Sequence, residues 1–234
     1  MKSLFRAIAL LGIAMFTVSA APQAEPQAGA HWLTTVAVTK DGGHLLGNPD
    51  AKLKLTTWES YTCHFCHAFE TEAAGPIRLA YISTGKVSLE VRHIIRDPID
   101  LTAAMLTECV PEEKFFDAHR QLYLHFDKTL DLLANHTKAQ VTRWNGTESD
   151  RASGRRAIAE DFGFYDIFEQ LGMSRAQMTH CVNDDALAQK LADQTKADSD
   201  KYGITGTPTF ALDGTVLLAT HSWDLLQPQI DARL

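Results

Sequence analysis

The spacing of apolar positions changes period several times along this chain, and each change marks an element. Leu53-Lys54-Leu55-Thr56-Thr57-Trp58 alternates and is rich in strand formers. Directly after it, Phe65, Phe69, Ala73, Ile77 and Tyr81 recur every fourth residue, the spacing of one helix face. A helix is therefore expected from Cys63 to about Ser83, kinked at Gly75-Pro76 and stopped by Gly85. Val87 to Ile95 alternates again as a strand, and Trp32 to Val38 reads as an earlier one. Asp41-Gly42-Gly43 and Gly47-Asn48-Pro49-Asp50 are turns.

From Asp97 to about Lys201 the pattern is helical. Asp100 to Cys109 forms a short helix stopped before Pro111, and Phe115, Phe116, His119, Leu122, Tyr123 and Phe126 make an apolar stripe. The polar stretch Arg143 to Gly154, with Gly146 and Gly154, reads as a loop. Ile158, Phe162, Tyr165 and Phe168 mark a helix weakened by Gly163. Ser174 with Gln177 is a capping box opening the helix that carries Cys181. Asn183-Asp184-Asp185 caps the next helix, which ends at Tyr202-Gly203. Strands return at Thr209 to Leu212 and Thr215 to Ala219 around the turn Asp213-Gly214, and a last helix starts at Ser222. Strands on either side of a helical block predict one α/β domain, residues 31–234, with a helical insertion over about 97–201.

Residues 1–20 stand apart from this pattern. Lys2 and Arg6 precede an apolar run from Ala7 to Val18, and Val18-Ser19-Ala20 fits a cleavage site, so a signal peptide and export are expected. Residues 21–30, with Pro22 and Pro26, read as a flexible linker. Cleavage leaves 214 residues (234 − 20) and moves the net charge from −7 to −9 by removing Lys2 and Arg6. With no basic run, nucleic acid is not an expected partner.

Four cysteines in an exported chain suit an oxidising compartment and allow three connectivities. If Cys63 pairs with Cys66, Cys109 is left with Cys181. Cys63-His64-Phe65-Cys66 lies at the strand-to-helix junction, where unpaired backbone N–H groups and the positive end of the helix dipole stabilise a thiolate. Thiolate is the reactive species in disulfide exchange.

This pair, together with Gly206-Thr207-Pro208-Thr209-Phe210 at the hairpin entrance and the helical block between them, resembles the exported DsbA-like thioredoxin-fold thiol oxidoreductases. Gly47-Asn48-Pro49-Asp50-Ala51, with Cys109 and Cys181, is similar to the bacterial branch that has an extra structural disulfide. The resemblance covers about His31 to Leu234. It implies a thioredoxin-like α/β fold with an inserted helical domain and a cis Pro208 that turns the Thr207 backbone toward an extended substrate. It also implies that Cys63 is the exposed nucleophile, that Cys66 is the buried resolving thiol, and that no cofactor beyond the redox disulfide is needed. The implied partners are exported cysteine-containing proteins and a membrane or periplasmic redox protein, in the periplasm. Isomerases with this kind of active site usually carry an added dimerisation segment, and the stretch from Ala21 to Asp50 is too short for one, so a monomer is expected.

The sequence departs from the family at three places. DsbA has proline then histidine between its cysteines, whereas His64 and Phe65 stand here. An aromatic in the second place, with threonine before the cis-proline, is closer to isomerases and reductases. The family's buried acid position, six residues before the first cysteine, is Thr57; Glu59 and Glu70 are nearby without an assigned role. Two readings from other classes use the same residues. Cys63-x-x-Cys66-His67 matches a c-type haem attachment site, with Met105, Met173 or Met178 as axial ligand. Cys63, Cys66, His64 and His67 could bind copper or zinc in part, but four ligands within five residues do not close a tetrahedron, so no metal is expected.

Overall fold

The computed structural model describes residues 31–234, so the expected signal peptide and linker lie outside the described residues. Six strands form one sheet in the order β1-β2-β4-β3-β5-β6. Their ranges are β1 Val36–Val38, β2 His44–Gly47, β3 Leu53–Glu59, β4 Val87–His93, β5 Thr209–Leu212 and β6 Thr215–Val216. Central β3 pairs parallel with β4 and antiparallel with β5, setting Leu55 beside Leu89 and Thr57 beside Phe210. A parallel pair needs a crossover. Helix α1, His64–Pro76, supplies it together with a π-helical turn at Ile77–Ile82. The expected kink at Gly75-Pro76 is thus a change of helix type, because Pro76 has no N–H to continue the ladder.

Between β4 and β5 run eight helices: α2 Pro98–Glu108, α3 Phe115–Leu124, α4 Phe126–Asn135, α5 Lys138–Trp144, α6 Arg151–Asp161, α7 Phe164–Gln170, α8 Arg175–Val182 and α9 Asp185–Tyr202. Helix α10, Trp223–Asp231, closes the chain. Both capping expectations hold: Ser174 and Gln177 form a full capping box, and Asp184 accepts from the N–H groups of Ala186 and Leu187. Asp213 and Gly214 both have positive φ, as a two-residue hairpin turn requires. Among the described residues, no helix is long and apolar enough to cross a membrane.

Several elements differ from the sequence expectations. Trp32 lies in a 3-10 turn, His31–Leu33, rather than in β1, and the short strand β2 was hidden between two turns. Gly163, at φ 69°, ends α6 and starts α7 where one weakened helix was expected. Arg143 to Gly154 is a loop only over 145–150; its two ends belong to α5 and α6. Gly154 is buried inside α6 because a Cβ there would come 2.4 Å from the Trp144 carbonyl oxygen, so glycine is what lets α5 and α6 meet.

The main core joins the two regions. Leu53 and Leu55 pack with Phe69 and Ala73 of α1, Leu226 and Ile230 of α10, and helical-block residues such as Met105 and Phe168. Trp58 belongs to a second cluster with Ile94, Ile204 and Ala211, and Tyr202 packs against it. The Trp58 indole N–H donates to Asp198 at 2.8 Å, and Arg92 clamps the same carboxylate at 2.6 and 2.7 Å. All three are buried, so α9 is held to the sheet by a satisfied ion pair.

Candidate active site

Cys63 is the N-cap of α1, with extended backbone (φ −94°, ψ 117°), and its sulfur accepts from the Cys66 N–H at 3.4 Å. The approach to it is fixed by two aspartates. Buried Asp100 accepts from Ser60 Oγ at 2.6 Å, Tyr61 N at 2.8 Å and Arg96 N at 3.0 Å. Asp97 caps α2 through the N–H groups of Ile99 and Asp100 and accepts from Thr62 Oγ1 at 2.6 Å. The strand-to-helix turn is thereby tied to the start of the helical block.

The Thr207–Pro208 peptide is cis. Protonated Cys63 donates to the Thr207 carbonyl at 3.2 Å, so the hairpin entrance lies against the thiol although 144 residues separate them in sequence. A cleft of about 510 Å³ runs between the two segments, lined by Cys63, His64, Phe65, Arg96, Gly206 and Thr207 among others. Cys63 is not the exposed thiol that was expected. The residue is only 3% exposed, because the Thr207 segment covers it, and it lines the cleft floor. Phe65 leaves the apolar stripe and stands 67% exposed at the cleft edge, while His64 is also exposed. Cys66 is fully buried, and both thiols are free.

The two sulfurs are electrostatically unlike. A hydrogen bond from the Cys66 thiol lowers the Cys63 thiol from 9.0 to about 5, against a partial opposing effect of burial and with help from the Cys66 and Phe65 N–H groups. Burial pushes the Cys66 thiol well up, and the Cys63 hydrogen bond and the Glu59 charge add to the effect. Glu59 sits two residues beyond Thr57 on the same strand. Burial, reinforced by Glu70, raises its carboxyl to about 7, and the Tyr123 hydroxyl donates to it at 2.9 Å. Thr57 is buried at the place where the family has its acid. Asp100, Glu59, Tyr123 and His119 were not singled out from the sequence as a group. The signals in the sequence are Glu59 and Glu70 close to the cysteine pair and the polar residue His119 inside an apolar stripe.

Cys109 and Cys181 are joined, bridging the C-cap of α2 to α8 with a sequence separation of 72, away from the cleft. His67, the would-be haem ligand, lies flat on Phe126, with ring centroids 4.5 Å apart and planes 10° apart.

A thioredoxin family model matches residues 39–232. A protein of Rickettsia conorii named for protein-disulfide oxidoreductase activity is 24% identical over 195 residues, 83% of this chain and 61% of that protein's length. The chain thus spans about three fifths of the curated relatives it matches. Among solved structures, the protein-disulfide isomerase of Novosphingobium aromaticivorans is 46% identical, with TM-score 0.77, over 82% of this chain and 97% of that one. Wolbachia pipientis alpha-DsbA1 shares the fold at 22% identity and TM-score 0.56, covering 81% of this chain and 89% of its own. BdbD of Bacillus subtilis does so at 18% and 0.57, over 81% and 91%.

Proposed function

The chain belongs to the thioredoxin family, and we propose that it is a periplasmic thiol:disulfide oxidoreductase that forms or rearranges disulfide bonds in exported proteins through Cys63 and Cys66. The observation that carries this reading is the asymmetry of the pair: a Cys63 thiol lowered to about 5 beside a Cys66 thiol pushed up. In the oxidised protein, a substrate thiolate attacks Cys63 Sγ; the Cys63–Cys66 bond breaks, and Cys66 leaves with the electron pair and takes up a proton. A second substrate thiolate then attacks the substrate sulfur of the mixed disulfide and expels the Cys63 thiolate, a good leaving group because of its low pKa. Two substrate thiols are oxidised and the Cys63–Cys66 disulfide is reduced. In rearrangement, the Cys63 thiolate attacks a substrate disulfide and expels one substrate thiolate, and a different substrate thiolate then attacks the mixed disulfide, forms a new substrate disulfide and expels Cys63; where Cys66 attacks Cys63 Sγ instead, the Cys63–Cys66 disulfide forms and the substrate leaves reduced. The electrons reside in the cysteine pair throughout, so no bound cofactor takes part.

Several features support the finer parts of this reading. The Thr207 segment flanks the sulfur and offers backbone groups to an extended peptide, as β-augmentation needs. Exposed Phe65 at the cleft edge suits unfolded or flexible substrates with apolar residues. His64 and Phe65 tune the pair less strongly than a more polar pair would, and the Novosphingobium relative is an isomerase by name. A structural Cys109–Cys181 bridge fits an oxidising compartment, and the charge pattern of residues 1–20 fits export. The protein acts as a monomer recycled by a separate redox protein.

Trapping tests the roles directly. Cys66→Ser should accumulate mixed disulfides with periplasmic proteins through Cys63, and Cys63→Ser should accumulate few. Equilibration with glutathione should give a moderately oxidising pair. A potential near that of thioredoxin, about −270 mV, would make the protein a reductase. A visible haem band surviving denaturation would overturn the whole reading.

A further inference from the structure

Behind the cysteine pair, three side chains from three elements converge: Glu59 at the end of β3, Glu70 on α1 and His119 on α3. One ligand atom from each lies within 4.8 Å of the others. Glu59 and His119 are 1% and 3% exposed, and Glu70 is half-buried. Their mutual contacts are too long for hydrogen bonds: His119 Nε2 is 3.7 Å from Glu70 Oε1 and 3.9 Å from Glu59 Oε2. His119 Nε2 and Glu59 Oε1 are buried and have no partner among the described residues. An orphaned buried polar atom costs on the order of 1–3 kcal/mol, so His119 Nε2, set between the Glu59 and Glu70 carboxylates, calls for a partner.

We propose that Glu59, Glu70 and His119 bind one divalent first-row transition ion of the zinc type. Tetrahedral zinc, with bonds of about 2.0–2.2 Å to nitrogen and oxygen, holds its ligands ~3.4 Å apart. The two nitrogen-to-oxygen gaps are within about half an ångström of that span, a closure that side-chain rotation supplies. The charge balances as well: two carboxylates and a neutral imidazole present −2 to a +2 ion.

The surroundings are those of a ligand set. His119 Nδ1 is 3.0 Å from the Tyr61 hydroxyl, whose oxygen accepts a hydrogen bond from Nδ1–H once Nε2 holds the ion. The Tyr123 hydroxyl orients Glu59 through Oε2. A small cavity of about 30 Å³ touches both Glu70 and His119, room for the water that completes the tetrahedron. Arg78 and Arg120 also line that cavity. An imidazole and only three protein ligands favour zinc over calcium or magnesium, which take six or more oxygens or water-rich octahedra. This site shares no residue with the cysteine–histidine motif. The bound ion fastens β3, α1 and α3 together, tying the helix that carries the cysteines to the helical block.

The test uses the untagged chain with Cys63→Ser and Cys66→Ser, so that thiols cannot hold metal. Dialysis against zinc should leave one equivalent bound and raise the melting temperature, whereas magnesium and calcium should not. Cobalt should give a tetrahedral visible spectrum with no thiolate charge-transfer band. Glu70→Gln and His119→Gln, added separately and checked for folding by circular dichroism, should each weaken zinc binding at least ~10-fold, as loss of even an outer-shell partner can. No uptake by the thiol-free chain, or undiminished affinity in both folded variants, would overturn the proposal. Should His119→Gln fail to fold, Glu70→Gln and the zinc-against-magnesium melting shift decide it alone.

Discussion

Reducing the Cys63–Cys66 bond should make stability depend on pH in a way that removal of the Cys63 thiol abolishes. In the reduced, folded chain the Cys63 thiol titrates at about 5, against an ordinary 9.0. Between these values the unfolded chain holds a proton that the folded chain has released, so stability rises with pH at up to ~1.36 kcal/mol per unit. The gain is complete above the unfolded pKa and is lost as pH falls through the folded one. Taken whole, four units would carry roughly 5 kcal/mol, but the sulfur lies on the floor of a cleft beneath the Thr207 segment, where water still screens part of its charge, so about half, ~2–3 kcal/mol, is expected. Cys66 adds nothing to this window, because its raised pKa keeps it protonated in both states. The assay is urea unfolding of reduced wild type and reduced Cys63→Ala at several pH values from about 5 to 8, comparing the difference in stability at each. The difference should widen steadily in favour of wild type as pH rises. The same stabilisation of the dithiol makes the disulfide more oxidising, at about 30 mV for each 1.4 kcal/mol, hence by roughly 50 mV. A stability difference flat with pH would refute the placement of a stabilised thiolate at the start of α1.

Three further outcomes follow from packing and covalent structure. Replacing both Cys109 and Cys181 by alanine opens a 72-residue loop, which the chain-entropy model sets at about 4 kcal/mol; a loss below about 1 kcal/mol in denaturant unfolding would contradict a structural role. Gly154→Ala forces a Cβ against the Trp144 carbonyl and the Gly146 N–H, backbone atoms that cannot rotate away, and should cost about 1–3 kcal/mol despite alanine's better helix propensity. Asp198→Ala leaves the Trp58 N–H without its acceptor and buried Arg92 with Glu90 and the Asp41 carbonyl alone, and should cost about 1–3 kcal/mol, with Asp198→Asn milder; equal melting temperatures for Asp198→Ala and wild type would show that the α9 clamp carries no stability.

The features legible in the sequence are those whose cause is local. Ser174 and Gln177 cap a helix through their own backbone, Asp213-Gly214 turns because two successive residues accept positive φ, and Cys63 caps α1 because it stands between a strand that ends at Glu59 and a helical stripe that begins at Phe65. The cysteine motif and Thr207-Pro208, each short and contiguous, carried the family resemblance, and the described geometry joins them. What tertiary structure decided depends on residues far apart in sequence. Gly154 looks like a helix breaker until Trp144 arrives beside it; the spacing of Phe65 predicts burial, but the cleft takes it outward. Cys63 is covered by a segment 144 residues away, and the Asp100 carboxylate that fastens its approach has no mark in the local pattern. Glu59, Glu70 and His119 meet only because β3, α1 and α3 pack together. Periodicity reports which face of an element is apolar, whereas the environment of a buried charge or thiol is set by whichever element packs against it, and that partner is chosen by the whole core.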